Sequence, residues 1–350
     1  MDAFKNKLKD ISKAKVFWPM IVLCLILLFN LFFSPGFFHI EMREGHLFGS
    51  LIDILNRGSS LVILAIGMTL VIATAGIDIS VGSVLAISGA VACFFIGPDN
   101  GTRMPFVLAI ILALGASMAL GMWNGFLVAK VGIQPVIATL ILMVAGRGIA
   151  QLITSGQILT VNYKPFVYIG NGFPLGFPFA IFIAAGVFII ATIIVKKTAF
   201  GLFLEALGSN PTASRFSGLP VKKIIFSVYV FSGLCAGIAG LLVCSLVKSA
   251  DANNAGLFIE MDAILAVVLG GNSMQGGRFN ILGSVIGALT IQALTTTILT
   301  LGVAPQVIQV VKALVVIAIF LIQSQELRDL LSERINKNRR KHYEKETIKL

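Results

Sequence analysis

Two ionisable side chains stand deep in apolar sequence, where their chemistry has few outlets. Asp78 falls within Gly76-Ile77-Asp78-Ile79-Ser80, and Arg147 stands between Gly146 and Gly148. A charge at mid-bilayer costs about 2.5–3.5 kcal/mol on insertion scales unless it is paired or hydrated. The expectation is that Asp78 and Arg147 partner each other. Such a pair acts either as a buried clamp on a broken helix or, with its waters, as the lining of a route for an uncharged solute. Ser80, Asn124, Gln134, Gln151, Asn272 and Gln275 supply neutral donors and acceptors. Amides suit sugar-like hydroxyls, but they also bond one membrane helix to another, and helix packing is the heavier expectation for each. Asp78, Ser80, Asn124, Arg147 and Gln151 are the candidates for the broken helix or the solute path.

Covalent and metal chemistry have no residues to work with. No G-x-x-x-x-G-K-[ST] phosphate loop occurs, and the glycine-rich stretch 270–279 (GGNSMQGGRF) lacks the lysine such a loop needs. Neither a G-x-S-x-G elbow nor an H-E-x-x-H pair is present. His39, His46 and His342 are expected in loops or in the tail. Cys24, Cys93, Cys235 and Cys244 lie singly inside apolar runs, which predicts neither disulfides nor a zinc site. Glu260 and Asp262 are two residues apart, so they point to different faces of a helix. The expectation is a chain that is not itself a catalyst and binds no cofactor.

The elements that must position these residues follow from composition. Of 350 residues 57% are hydrophobic and 12% charged, with formal net charge +11. A soluble domain carries about 25% charged residues. Half that share excludes a soluble enzyme, a nucleic-acid-binding domain and a disordered chain, and predicts an all-α polytopic membrane protein. A span needs about 20 apolar residues. Ten candidates run roughly over 17–34, 58–77, 79–97, 105–129, 133–153, 178–195, 224–246, 258–271, 281–301 and 306–323. The second and third are parted only by residues 76–80, and the eighth is short. Both are expected to be broken elements buried among neighbours, because unpaired backbone cannot face lipid. The apolar run after the N-terminal lysines is too long for a signal-peptide core, so it is read as a retained first span.

Charge sets the orientation. Of the 27 lysines and arginines, 20 fall in residues 1–16, the 196–223 loop, the tail from Glu326, Lys130 and Arg278, against five in the opposite loops. Positive charge stays on the cytoplasmic side, which places both termini there. The expected organisation is a basic segment 1–16, a membrane domain 17–325 and a charged tail 326–350. Glycine pairs four apart (Gly121/Gly125, Gly233/Gly237, Gly283/Gly287) predict close helix contacts. Residues 75–84 (AGIDISVGSV) echo 276–285 (GGRFNILGSV) weakly, each a glycine-rich interruption leading into an apolar helix. Such an echo is as readily chance as a true internal repeat.

The 196–223 loop is basic yet not merely polar. Phe200, Phe203, Leu204 and Leu207 recur at helical spacing, Ser209-Asn210-Pro211 breaks the run, and a second short helix is expected over 212–217. Exposed apolar residues on a helix–turn–helix suit a protein partner, with a helix lying on the lipid surface as the alternative.

Within this loop Glu205, Ala206, Gly208, Gly218, Leu219 and Pro220 resemble the segment by which permease subunits of ABC transporters dock on their ATPases. The spacing is shorter than the fullest form of that motif. Residues 64–84, 133–157 and 262–289 look like signature blocks of the ribose/arabinose/xylose-type permeases. Residues 47–57 and 248–268 resemble most closely the galactofuranose-importing members, and the likeness runs from about 16 to 325. The resemblance implies a type II importer-like fold of about ten transmembrane helices in a bacterial inner membrane. It further implies a cytoplasmic ATPase partner that uses ATP and Mg, a second permease subunit, identical or related, and a periplasmic sugar-binding protein. Asp251, Asn253 and Asn254 are its docking candidates on the outer side. An ion-coupled secondary transporter is the alternative; it would need more charges along the spans and no docking loop.

Overall fold

The computed structural model describes residues 17–43, 45–97 and 104–323. The basic segment 1–16 and the charged tail 326–350 lie outside the described residues. In chain order the elements are α1 (Phe17–Phe33), β1 (Glu41–Arg43), β2 (His46–Phe48), α2 (Ser50–Ala73), α3 (Val81–Ile96) and α4 (Phe106–Phe126). There follow α5 (Pro135–Ile153), β3 (Leu159–Thr160), α6 (Lys164–Asn171), α7 (Phe179–Lys197), α8 (Ala199–Ser209) and α9 (Pro211–Phe216). The chain continues with α10 (Val221–Val247), β4 (Ser249–Ala250), α11 (Ile259–Leu269), α12 (Ile281–Thr300) and α13 (Pro305–Gln323). Each of the ten expected spans is a helix, and among the described residues six are long and apolar enough to cross a membrane unaided.

The clearest departure from expectation is the start of α2, at Ser50 rather than near 58. Its first two turns mix Ser50, Asp53, Asn56 and Arg57 with four apolar residues, and Arg57 Nε donates to Asp53 Oδ1 at 2.9 Å, four residues back. Such a pair supports exposed helix without raising its hydropathy, so an apolar window reads only the later turns. Those turns are enclosed: Gly58 to Ala73 is buried almost without interruption, as is most of α3. A helix apolar on all faces belongs inside a bundle or in lipid. Here α2 and α3 take the inside, while α1, α4, α5 and α7 carry the outward apolar surface, including Phe32 (74% exposed) and Leu152 (80%). Water would not tolerate so much contiguous apolar area; acyl chains do.

Backbones meet where the glycine pairs predict. On α4 and α10, a Cβ at Gly121 would lie 3.2 Å from Gly233 Cα, and one at Gly237 would lie 2.7 Å from Ser117 Oγ. Between α11 and α12, Gly283 faces the Gly270 carbonyl and Gly287 faces that of Ala266. In lipid no hydrophobic effect separates helix from solvent, so these short approaches supply much of the association through van der Waals contact.

The 27-residue α10, about 40 Å long, packs along its length against α2, α3 and α4. At its N-terminal end stand α8, α9 and the basic residues Lys196, Lys197, Arg215, Lys222 and Lys223. At its C-terminal end β4 pairs antiparallel with β3, Leu159 opposite Ala250, and Asn171 Nδ2 on α6 donates to Ser245 O at 2.9 Å. From Thr297 onward the chain forms a second compact unit containing α13.

Candidate functional site

Helix α2 stops at Ala73 and the chain turns before α3 begins at Val81. Ala75 takes a left-handed backbone (φ 59°) there. Asp78, 2% exposed, sits in the middle of this break. Its Oδ1 accepts from the Ser80 amide at 3.1 Å and the Ser80 hydroxyl at 2.6 Å. Its Oδ2 accepts from Ser232 Oγ on α10 at 2.8 Å. Asn124 Nδ2 on α4 donates to Ser80 Oγ at 2.8 Å, extending the network to a third helix. From α5, Thr139 Oγ1 receives the Ile79 amide at 3.2 Å. The break is thus closed by groups from α4, α5 and α10, which meets the demand that buried backbone and carboxylate find partners.

Arg147 does not join this cluster. Its Nη1 donates to the carbonyls of Ala255 at 2.6 Å and Ala252 at 3.2 Å, in the connection between α10 and α11. The carboxylates near enough to attract it are Glu260 and Asp251. The expected Asp78–Arg147 partnership is therefore replaced by two separate arrangements. The physical reason is supply: three donors from hydroxyl and amide already satisfy Asp78, and two carbonyl oxygens already hold the guanidinium. Gln151, one turn further along α5, donates from Nε2 to Asn253 Oδ1 at 2.6 Å. Arg147 and Gln151 therefore belong to the α10–α11 connection rather than to the Asp78 break.

In that connection Asp251 Oδ1 receives the amides of Asn253 at 2.9 Å and Asn254 at 3.2 Å, and Oδ2 receives Asn254 Nδ2 at 2.7 Å. These donors, the Asn254 side chain foremost, hold the Asp251 carboxyl below the usual carboxylate range. The three residues thus form one exposed turn.

A second break separates α11 from α12. The eleven residues of α11 rise only about 16 Å, half a membrane. Asn272 bridges this break: Oδ1 accepts the Asn280 amide at 2.6 Å, while Nδ2 donates to Ser284 Oγ at 2.9 Å and to Val267 O at 3.0 Å. The expected helix–turn–helix is present as α8 and α9. Thr198 Oγ1 caps α8 by accepting the Phe200 amide at 3.2 Å, and Asn210 Oδ1 caps α9 by accepting the Ala213 amide at 2.9 Å. Leu204 and Leu207 are buried, whereas Leu202 (69% exposed) and Phe216 (88%) face outward.

Comparison with known proteins places these two breaks, the 251–254 turn and the capped helix pair in a transport family. Residues 50–321 match the family model described as the branched-chain amino acid transport system / permease component. The chain belongs to this permease family. It is 49% identical to the galactofuranose transporter permease protein YtfT of Escherichia coli (strain K12) over 324 residues, 91% of this chain and 94% of that one. It is 40% identical to the fructose import permease protein FruF of Bifidobacterium longum (strain NCC 2705), with 93% and 92% covered. Identity is also 40% to the ribose import permease protein RbsC of Escherichia coli (strain K12), with 84% and 88% covered. No solved structure matches the chain.

Within this permease the fold brings together Asp78, Ser80 and Asn124. It places Arg147 and Gln151 with Asn253, and Glu205, Ala206 and Gly208 on α8. Gly218, Leu219 and Pro220 lie just beyond α9, where the Gly218 amide donates to Arg215 O at 3.1 Å. Ser232 and Thr139 escape sequence reasoning, since a lone hydroxyl in an apolar helix carries no periodic signal. Glu260 is also notable: 2% exposed, its Oε2 has no hydrogen-bond partner among the described residues.

Proposed function

We propose that this permease is the membrane-spanning subunit of a binding-protein-dependent ABC importer and forms the path for a monosaccharide, galactofuranose-like or a related pentose or hexose. The observation that carries the reading is the capped α8–α9 pair, with exposed Leu202 and Phe216, at the end of α10 where the basic residues gather. Basic residues keep that end in the cytoplasm, so a soluble ATPase can reach it. Both termini then lie on the cytoplasmic side of a bacterial inner membrane. The permease binds no nucleotide; ATP and Mg are bound by the partner ATPase, which closes on nucleotide and pushes on residues 205–220. The outer turn at Asp251, Asn253 and Asn254 receives the sugar-loaded periplasmic protein. A second permease subunit, identical or related, completes the pair. The names of the relatives, importers of galactofuranose, fructose and ribose, support a sugar as cargo.

The test is affinity purification of the tagged chain from native membranes in mild detergent, with copurifying proteins identified by mass. An ATPase carrying a phosphate loop is the expected companion. A chain that purifies alone and moves sugar in ATP-free vesicles would overturn the reading and leave an ion-coupled transporter.

A further inference from the structure

The C-terminal end of α8 packs against the junction of the two breaks. The Gly277 amide, in the 270–280 break, donates to the Ala73 carbonyl, the last residue of α2, at 3.0 Å. Gly208 covers this hydrogen bond so closely that a Cβ there would collide with both the Ala73 oxygen and the Gly277 nitrogen. Beside it, a Cβ on Gly276 would stand 2.8 Å from the Ala75 amide nitrogen, and one on Gly277 would stand 3.0 Å from Ser209 Oγ. One turn earlier Thr69 Oγ1 donates to Ser284 Oγ at 2.6 Å, tying α2 to the first turn of α12. Asp78 follows Ala73 by five residues of non-helical backbone, and Gly276 packs against that segment at Ala75.

We propose that Gly208 is a positioning residue for transport: through the Ala73–Gly277 hydrogen bond it conveys motion of the α8–α9 pair to both breaks as one rigid body. The inference rests on the docking reading above. Backbone-to-backbone contact without an intervening side chain transmits displacement with little slack, because packed polypeptide is barely compressible. An added methyl cannot be relieved by a rotamer change, since what it meets is main chain on both sides. A merely structural glycine would lower the amount of folded protein; a transmitting one alters how the break responds to nucleotide.

The experiment uses the intact complex, permease with its copurified ATPase, carrying Cys24→Ser and Ile77→Cys; the remaining cysteines are buried. Alkylation of Ile77→Cys by a maleimide is timed without nucleotide and with ATP and vanadate, per complex that retains the ATPase. The parent is expected to change its rate by about fivefold or more on trapping, Gly208→Ala to show no change, and Gly186→Ala, a methyl placed in open space on α7, to behave as the parent. A Gly208→Ala complex that responds as fully as the parent overturns the proposal. So does a parent that binds the ATPase yet leaves Ile77→Cys indifferent to trapping. A parent that never retains an ATPase instead removes the docking reading itself. Should Gly208→Ala fail to assemble, spin labels at Arg215→Cys and Gln275→Cys, exposed and outside the junction, give the second measure. Their separation should stay fixed on trapping while that from Gln275→Cys to Ile111→Cys on α4 changes. A shift in the first distance means the helix pair slides over the 270–280 break, and the rigid-body proposal fails.

Discussion

At 74–80 the backbone leaves the helix around a carboxylate; at 270–280 it does so around an amide. Asn272 both gives and accepts, so one side chain closes its break with Val267, Asn280 and Ser284, all within twelve residues. Asp78 can only accept when ionised. It must borrow donors, and one comes from Ser232, 154 residues away. The neutral break draws its side-chain closure from its own neighbourhood and is tied to α2 through Gly277 and Ser284, whereas the charged one is a meeting point of four helices. A third turn completes the series. Asp251 receives the amide two residues ahead, as Asp78 does, but in solvent rather than in the core. Identical local geometry thus carries very different stakes according to burial.

The comparison can be broken most directly at Asp78. Replacement by Ala strands two hydroxyls and an amide in a dry interior, with an expected loss of about 3 kcal/mol or more, read as thermal unfolding of the solubilised chain well below wild type. Asp78→Asn, which keeps one acceptor, should lose less. A Gly283→Ala methyl would press on the Gly270 carbonyl, an overpacking expected to cost about 2 kcal/mol. By contrast Gly76→Ala meets the Tyr229 hydroxyl, the end of a side chain, and should be milder in the same assay. Asn272→Ala should lower stability by about 2 kcal/mol while leaving the surroundings of Asp78 unaltered, as judged by alkylation of Ile77→Cys. A parallel change at Asp78 would show that the Gly277–Ala73 bond carries the loss of Asn272 into the first break.

The smallest effect belongs to Asp251. Its carboxyl lies below the usual range, so its contribution to the order of the 251–254 turn is fully present above the unfolded carboxyl pKa. It is lost as pH falls through the lower, folded value. Amide exchange at 253 and 254, corrected for intrinsic rate, should rise across that acidic window. Asn254→Ala should move the rise to higher pH. An unchanged midpoint would mean that the side-chain bond does not hold the carboxylate.

How much of this was legible in the sequence depends on the range of each signal. The ten helices, the short α11, the interruption at 76–80 and the α8–α9 pair all follow from hydropathy, glycine and capping residues, which act within one or two turns. The mixed first turns of α2 escaped because their four polar residues pull the average hydropathy below that of a span. The choice of partners for Asp78 and Arg147 escaped for a different reason. Charge complementarity suggested one pair, but a carboxylate is equally served by hydroxyls and an arginine by carbonyl oxygens, and no residue type in a one-dimensional chain announces which helix will face it. The segments 75–84 and 276–285 touch in three dimensions, where Gly276 abuts Ala75 and Gly277 bonds to Ala73, a contact that no sequence signal announces.

The reach of the Asp78–Ser232 bond also bears on how the chain is made. Chains emerge at about 5–20 residues per second, so the 154 residues between the two represent roughly 8–30 s of synthesis. Through that interval the nascent break holds its acid without Ser232, and its last backbone tie, to Gly277, arrives later still. The first helices must therefore wait in or beside the insertion machinery, their turn unfinished, until the C-terminal half is delivered to complete it.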